Sequence, residues 1–349
     1  MSPSSATRRL AAGVVWLAAC GGPSTAPTPA PLVSAGEVRE IVGALAADSM
    51  EGRRTGTPGS ARAARFLAER MRSYGLEPAG DSSYFQRVPY EVARGPEGEV
   101  LRLPGAKGAH SDVVERVTDY NLIGLIRGTD SALGDEAVVL GAHFDHLGIG
   151  RPVDGDSIYN GADDDASGVA TVLAAAGALA KAPPHRTVIV LLTSGEEFGV
   201  LGTQWYADRP VFPLSRTIAG LQVEMVGRPD SLAGGPGKLW LTGYERSTMG
   251  EALSTAGLPI VPDPRPSFRF FERSDNIVFA LRGIPAHTLS SFDMHSDYHE
   301  PSDEVERIDF AHLERAADVV ARAARLLADG PAPAWRLGAA RLPPLPERR

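Results

Sequence analysis

From Tyr120 onward, short apolar runs alternate with segments of helical periodicity. The runs lie at Asn121–Ile126, Ala137–Ala142, Thr187–Thr193, Thr217–Val223, Lys238–Thr242 and Pro285–Leu289, and the clearest helical patterns lie at Ala166–Ala180 and Phe310–Leu327. Strands that alternate with helices form mostly parallel sheets covered on both faces. We therefore predict a single α/β domain with a mixed, mostly parallel β-sheet and helices on both of its faces.

The segments outside this pattern are less regular. Helical periodicity also predicts helices at Ala35–Ala47 and Ser60–Tyr74, the second ended by Gly75. Between Tyr90 and Asp119 several Gly and Pro interrupt the pattern, and we expect irregular structure there. The composition becomes Pro-rich after Gly330. We predict a domain over residues 35–329 and an exposed or loosely packed tail over 330–349.

The first residues have the pattern of an export signal. Arg8 and Arg9 precede an apolar stretch, Leu10–Ala19. Residues 17–20, Leu-Ala-Ala-Cys, resemble the bacterial lipobox, whose cysteine carries a lipid. This resemblance implies a signal peptide over residues 1–19, a lipid anchor on Cys20, a flexible linker over 20–34 and a place in the bacterial cell envelope. The alternative is an ordinary cleaved signal in which Cys20 is incidental.

Charge and hydropathy exclude two classes of protein. The chain has 35 Lys and Arg against 43 Asp and Glu, a net charge of −8, which argues against a nucleic-acid partner because phosphate binding needs a basic face. No apolar run reaches the roughly 18 residues of a membrane-spanning helix. Cys20 is the single cysteine of the 349 residues, so the chain cannot form an internal disulfide.

Potential metal ligands follow four of the predicted strands. His143 and Asp145 follow Ala137–Ala142, Glu196 and Glu197 follow Thr187–Thr193, Glu224 follows Thr217–Val223, and Pro285–Leu289 leads towards His299. The carboxyl ends of parallel strands meet at one edge of a sheet, where α/β proteins place their sites.

Each of these residues also has an ordinary structural interpretation. His143 alone is typical of a buried core histidine, and Asp163–Asp165 alone is typical of a solvated turn. Together, however, these segments would bring several carboxylates to one edge of the sheet. Burying these carboxylates without a partner would cost several kcal/mol each. A divalent cation removes that conflict, and carboxylates and imidazoles are normal ligands of zinc.

The order of these motifs resembles a known family. The segments HFD, GADDDASG, SGEE, VEMVG and DYHEPSD, at positions 143–303, are similar to those of the di-zinc aminopeptidases of peptidase family twenty-eight. Supporting segments extend the resemblance over about Leu45 to Leu327, and the stretch from Tyr90 to Tyr120 is too short for the protease-associated domain that some members carry.

The resemblance implies an exopeptidase that removes N-terminal residues from peptides with two zinc ions per chain. His143 and Glu224 would bind the first ion, Glu197 and His299 the second, and Asp164 would bridge them. Glu196 would be the general base, Asp145 would orient the imidazole of His143, and Tyr298 would stabilise the oxyanion. His146, His287 and His295 are interpreted as packing or supporting residues.

Two departures from the family keep alternatives open. Glu224 occupies a position where the family usually has Asp, which favours a carboxypeptidase or aminoacyl deacylase as an alternative, and Asp165 replaces a frequent Asn. A glutaminyl cyclase with one zinc ion and a non-catalytic ectodomain are further alternatives. Nothing in the sequence specifies an oligomeric state.

Overall fold

The computed structural model describes residues 32–95, 98–106 and 112–338. The predicted signal peptide, Cys20, linker residues 20–31 and residues 339–349 of the tail lie outside this part of the chain. Within it, no helix combines the length and hydropathy that a membrane span requires.

Four of the seven α-helices in the described residues match those that the periodicity predicts, and three short helices were not predicted. The α-helices of the described residues are α1 (Ala35–Leu45), α2 (Pro58–Ser73), α3 (Gly168–Lys181), α4 (Leu201–Asp208), α5 (Met249–Thr255), α6 (Asn276–Ala280) and α7 (Phe310–Asp329). Side-chain caps define two of the helix starts, since Thr57 accepts from the amide of Ser60 and Asp309 from that of His312.

Ten strands of the described residues form one mixed sheet, and two form a separate hairpin. The strands are β1 (Glu77–Pro78), β2 (Phe85–Gly95), β3 (Gly98–Arg102), β4 (Val113–Ile126), β5 (Ala137–His143), β6 (Gly148–Val153), β7 (Asp156–Tyr159), β8 (Thr187–Thr193), β9 (Thr217–Val223), β10 (Leu239–Leu241), β11 (Ile260–Pro262) and β12 (Ala286–Ser290). The sheet order is β11-β10-β12-β9-β5-β8-β4-β2-β3, with β1 on β4, and β6 pairs with β7.

The central four strands of the sheet are parallel. β8, β5, β9 and β12 are neighbours that run in one direction, whereas β4 and β10 flank them antiparallel. β5 and β8 are buried at every position, as expected for strands covered on both sides.

Helices cover both faces of the sheet. Val138 and Leu140 of β5 share a core with α1, α2, α3 and α7. Val139 of the same strand belongs to a second core with Tyr206 of α4 and Phe279 of α6. The predicted fold class, a mixed and mostly parallel sheet between two helical layers, is confirmed.

The prediction of irregular structure between Tyr90 and Asp119 is wrong. β2 pairs with β4 over Phe85–Ala93, and β3 continues the sheet beyond β2. Several of the polar residues that obscured the pattern, among them Arg94, Glu115 and Arg116, are exposed. Strands near the edge of a sheet need only one apolar face.

The start of the C-terminal tail packs against the domain. The indole nitrogen of Trp335 donates to the carbonyl of Gly283, and the ring lies 6.3 Å from that of Phe271. Thr248 exchanges hydrogen bonds with Ala334. Ala334 and Trp335 therefore pack on the surface of the domain despite the Pro-rich composition of the tail, whereas Leu337 is fully exposed.

Candidate metal centre

The carboxyl ends of the parallel strands converge on one cavity. β5 ends at His143, Glu196 and Glu197 follow β8, and Glu224 follows β9. A cavity of about 280 Å³ lies above this edge, and its wall includes Asp164, Glu196, Glu197, Glu224, Tyr298 and His299. The sheet thus brings together the residues that the sequence analysis singled out.

Asp164 presents one carboxylate oxygen to each of two groups of side chains. On one side, Oδ1 lies 3.3 Å from Nε2 of His143, which lies 3.9 Å from Oε1 of Glu224. On the other side, Oδ2 lies 3.2 Å from Nε2 of His299, which lies 3.1 Å from Oε2 of Glu197. Two atoms bound to one zinc ion are about 3.3 Å apart in tetrahedral geometry, so the spacing suits two neighbouring ions.

The polar atoms that face this space lack other partners. Nε2 of His143, Nε2 of His299 and Oδ1 of Asp164 are buried and accept or donate no hydrogen bond within the described residues. Buried polar atoms without partners cost about 1–3 kcal/mol each. Imidazoles and carboxylates arranged in this way fit zinc, which would satisfy these atoms together.

The three aspartates of the sequence Asp163–Asp165 differ in environment. They lie in an irregular turn, Ala162–Ser167, before α3 begins at Gly168. Oδ1 of Asp163 accepts from the amide of Gly227, and Oδ1 of Asp165 accepts from the amide of Met225. Asp164 alone of the three belongs to both clusters of side chains that could hold a metal ion, one with His143 and Glu224 and the other with His146 and Glu197. Its Oδ2 also lies 3.2 Å from Nε2 of His299.

Asp145 lies behind His143 but contacts it less directly than predicted. Its carboxylate accepts from Thr55 Oγ1 at 2.9 Å and from the amide of Glu196 at 3.1 Å. Nδ1 of His143 lies 3.8 Å from that carboxylate and 3.2 Å from the backbone oxygen of Asp145. The contact through the backbone oxygen is thus the shorter of the two, and burial raises the pKa of the Asp145 carboxyl to about 7.

Burial also shifts the acidities of the candidate ligands. It raises the pKa of Glu224 to about 6, against the opposing charge of His143. Burial and Asp164 would raise the pKa of Glu197, but the close contacts with the imidazoles of His146 and His299 lower it to about 2.

Asp303 and Arg228 connect the loop after β12 to the aspartate turn. Asp303 is fully buried and accepts from the amides of Asp163 and Asp164 at 3.0–3.1 Å. Arg228 pairs with Asp303 at 3.2 Å and with Asp297 at 2.6 Å. Neither residue was predicted from the sequence; the only signal was the position of Asp303 within the DYHEPSD segment.

A buried arginine binds the backbone of the segments behind the site. Arg53 is 0% exposed, and its guanidinium donates to the carbonyls of Leu45, Phe144, Asn160 and Gly161 at 2.6–2.9 Å. These carbonyls belong to the end of α1, the segment after β5 and the segment before the aspartate turn. Arg53 lies within the stretch from about Leu45 to Leu327 that resembles the family, but no sequence pattern assigns it a role.

The histidines interpreted as supporting residues contact different groups. His287 is buried between Ser247 Oγ and the carbonyl of Thr242, each 2.7 Å away. Nε2 of His295 lies 3.0 Å from Asp163 Oδ2. His146 lies at the centre itself, with Nδ1 2.7 Å from Glu197 Oε1, a contact that no sequence pattern predicts.

The opposite wall of the cavity is largely aromatic. It includes Met225, Trp240, Phe270 and Phe292. Tyr298 also lines it, with its ring stacked on that of His299 at 3.9 Å between centroids. Burial and the surrounding carboxylates, Asp164 first, raise the pKa of Tyr298, so its hydroxyl stays protonated.

Comparison with known proteins places this geometry in context. The model of Peptidase family M28 matches residues 121–324. The probable leucine aminopeptidase 2 of Aspergillus fumigatus is 30% identical over 178 residues, which are 50% of this chain and 33% of that protein. The chain therefore matches only about a third of the length of this relative.

Solved structures show the same fold at low sequence identity. BSAP, a zinc aminopeptidase from Bacillus subtilis, has a TM-score of 0.63 at 16% identity and covers 85% of this chain and 96% of its own. Porphyromonas gingivalis glutaminyl cyclase has a TM-score of 0.59 at 16% identity, and the match covers 84% of this chain and 98% of the cyclase. The fold is thus shared by proteins of two activities, and the site must distinguish them.

Proposed function

Because the chain belongs to Peptidase family M28, we propose that it is a zinc-dependent aminopeptidase that holds two metal ions and removes N-terminal residues from peptides. The observation that carries the proposal is the placement of Asp164, with one oxygen 3.3 Å from His143 and the other 3.2 Å from His299. A carboxylate placed between two groups of ligands suits a bridge between two ions.

His143 and Glu224 would hold the first ion, and Glu197 and His299 the second. When bound, zinc lowers the pKa of a coordinated water to about 7 and polarises a carbonyl oxygen. The remaining chemistry belongs to the side chains of the cavity.

Glu196 is the proposed general base. It is 5% exposed, lines the cavity, and its amide is held at 3.1 Å by Asp145. A carboxylate there can accept a proton from the attacking water and return it to the leaving amine. Its neighbour Glu197 faces His146 and His299 instead, which separates the base from the ligand.

Tyr298 is the proposed donor to the oxyanion. Its hydroxyl stays protonated at neutral pH because of the raised pKa, and its stacking on His299 holds the ring at the cavity wall. A donor fixed beside the scissile carbonyl stabilises the charge that develops on its oxygen.

Metal content and substrate selection test the proposal together. We expect two zinc ions per chain and cleavage of peptides with a free N-terminus, and no cleavage of peptides whose N-terminus is acetylated. Cleavage of acetylated peptides with a free C-terminal carboxylate, and not of free-amine peptides, would establish the carboxypeptidase or deacylase alternative that Glu224 favours. Pyroglutamate formation from an N-terminal glutamine with one zinc ion would establish the cyclase.

The proposed location is the bacterial cell envelope, with a lipid on Cys20. The support is the Leu-Ala-Ala-Cys sequence after an apolar stretch. Cys20→Ala should move the protein from the membrane to the soluble fraction with unchanged activity, because a buried acyl chain contributes about 0.8 kcal/mol per CH₂. Wild-type protein that fractionates as soluble would contradict the anchor.

A further inference from the structure

A buried histidine that none of the proposed steps uses lies beside Glu197. His146 is 0% exposed, and its Nδ1 lies 2.7 Å from Oε1 of Glu197. Its Nε2 has no hydrogen-bond partner within the described residues. The shortest polar contact of this ring is therefore with one oxygen of a proposed zinc ligand.

The ring of His146 is held in place by close packing. A Cβ on Gly161 would come within 2.6 Å of the imidazole, so the ring lies directly on the backbone at that position. The amide of His146 donates to the carbonyl of Arg53 at 3.4 Å. The direction of Nδ1 is thus set by the surrounding backbone as well as by its acceptor.

The distances separate the roles of the two histidines near Glu197. Atoms that share a tetrahedral zinc ion are about 3.3 Å apart, and Nε2 of His299 meets this spacing at 3.1 Å from Glu197 and 3.2 Å from Asp164. Nδ1 of His146 lies 2.7 Å from Glu197 and 3.9 Å from Asp164. The distance of 2.7 Å between His146 and Glu197 is that of a charge-assisted hydrogen bond, and it is too short for two atoms that bind the same zinc ion.

We propose that His146 is a positioning residue for Glu197, and that its Nδ1–H occupies Oε1 so that Oε2 alone is presented to the metal. An ionised carboxylate only accepts hydrogen bonds, so the imidazole must be the donor in this pair. Oε2 is the oxygen that lies 3.1 Å from His299. The inference rests on the proposed function, because it assigns Glu197 to the second zinc ion.

The prediction concerns the affinity of one zinc ion. Loss of a residue that orients a metal ligand typically weakens metal binding by about 10–100-fold. His146→Ala should therefore weaken the zinc ion on the Glu197 side by this factor and leave the ion on the His143 side unchanged. His146→Asn should retain most of the affinity, because its amide nitrogen can donate from nearly the position of Nδ1.

The experiment is a zinc titration of the metal-free full-length protein against a chelator of known affinity, with circular dichroism to show that each variant is folded. His299→Ala is the matched control and should lose the second ion more completely than His146→Ala. If His146→Ala does not fold, His146→Leu removes the donor while it preserves volume and takes its place.

The outcomes distinguish failure of the positioning role of His146 from failure of the proposed function. Weak binding by His146→Ala with recovery in His146→Asn supports a positioning role. Unchanged affinity in every His146 variant, or binding by His146→Asn as weak as by His146→Ala, overturns it, as does a His299→Ala variant that still binds two ions. A wild-type protein that binds fewer than two zinc ions overturns the proposed function, and this inference with it.

Discussion

The two sides of the candidate metal centre are built from different kinds of backbone. His143 ends β5, and Glu224 directly follows β9, so the register of the parallel ladder positions both. His299 lies on a loop nine residues beyond β12 and has a left-handed backbone, with φ of 59°. The side chain of His143 is 0% exposed and that of His299 36%.

The side with His143 and Glu224 (the strand side) and the side with His299 (the loop side) therefore depend on different forces. The strand side is held by the hydrogen-bond ladder and the core of the domain, which can be disrupted only by unfolding. The loop side is held by a few buried polar contacts, above all those of Asp303 and Arg228. We expect the loop side to be the one that perturbation loosens first.

The largest effect is expected on the strand side, from a change in chemistry alone. Glu196→Gln should lower kcat by at least about 10²–10⁴, the usual loss when a general base is removed. Zinc content and thermal stability should be unchanged, since the amide is nearly isosteric and the backbone of Glu196 still donates to Asp145. Steady-state kinetics with metal analysis check this, and near-normal turnover would exclude Glu196 as the base.

Removal of the Asp303 carboxylate should have the next largest effect. Asp303→Ala leaves Arg228 without one of its two carboxylates and leaves two amides of the aspartate turn without acceptors. Breaking a buried pair from one side costs about 3–5 kcal/mol. Urea denaturation should show this loss, with a smaller one for Asp303→Asn.

The same variant also tests whether the strand side and the loop side of the metal centre respond independently. Asp303→Ala should weaken the zinc ion near His299 more than the ion near His143. Equal loss of both ions would show that the two sides form one unit and do not respond independently.

The pH dependence of stability should report on β12, the strand that leads to the loop side. Burial lowers the pKa of His287 to about 4, below the value of about 6.5 in an unfolded chain. Above pH 6.5 the ring is neutral in both states, and below it the unfolded state takes up the proton first. Stability should therefore fall as the pH drops from 6.5 to 4, by about 3 kcal/mol from this residue.

The control for this prediction is His287→Gln, which removes the titrating group. Its stability at pH 7 should be lower because contacts with Ser247 and Thr242 change, but its slope between pH 6.5 and 4 should be shallower than that of the wild type. Equal slopes would assign the acid sensitivity to other groups.

The smallest effect is expected from Glu224→Asp. The shorter side chain restores the residue usual in the family, while the distance of 3.9 Å between Glu224 and His143 suits the longer one. We expect kcat/KM on free-amine peptides to stay within about tenfold of wild type, with a change in the affinity of the zinc ion on the strand side. A loss as large as that of Glu196→Gln would show that the added methylene is essential to the geometry.

The sequence predicted the strand side better than the loop side for a physical reason. Apolar runs such as Thr187–Thr193 have sharp ends, and a polar residue after such a run must lie at the sheet edge. The bounds of β8 and β9 therefore match the prediction. The predictions for β2 and β3 failed because edge strands with one solvated face have a weak pattern.

The hydrophobic periodicity of the sequence does not predict contacts between distant segments. His146 and Glu197 are 51 residues apart, and Asp163 and Asp303 are 140 apart. Periodicity describes which face of an element is buried, whereas such pairs depend on how loops meet above the sheet. The resemblance to a family supplied the proposed ligands and Asp145, but not the contacts of Arg53, His146 and Asp303 that support them.

The contacts of Arg53 have a consequence for how the chain can be divided. The region that the family model matches, 121–324, contains every proposed ligand, but Arg53 and the strand β2 that pairs with β4 lie upstream of it. A fragment that begins at Asn121 would leave the carbonyls of Phe144, Asn160 and Gly161 without their common donor. The autonomous folding unit is therefore larger than the region that the family model matches, and a recombinant fragment needs to begin no later than α1.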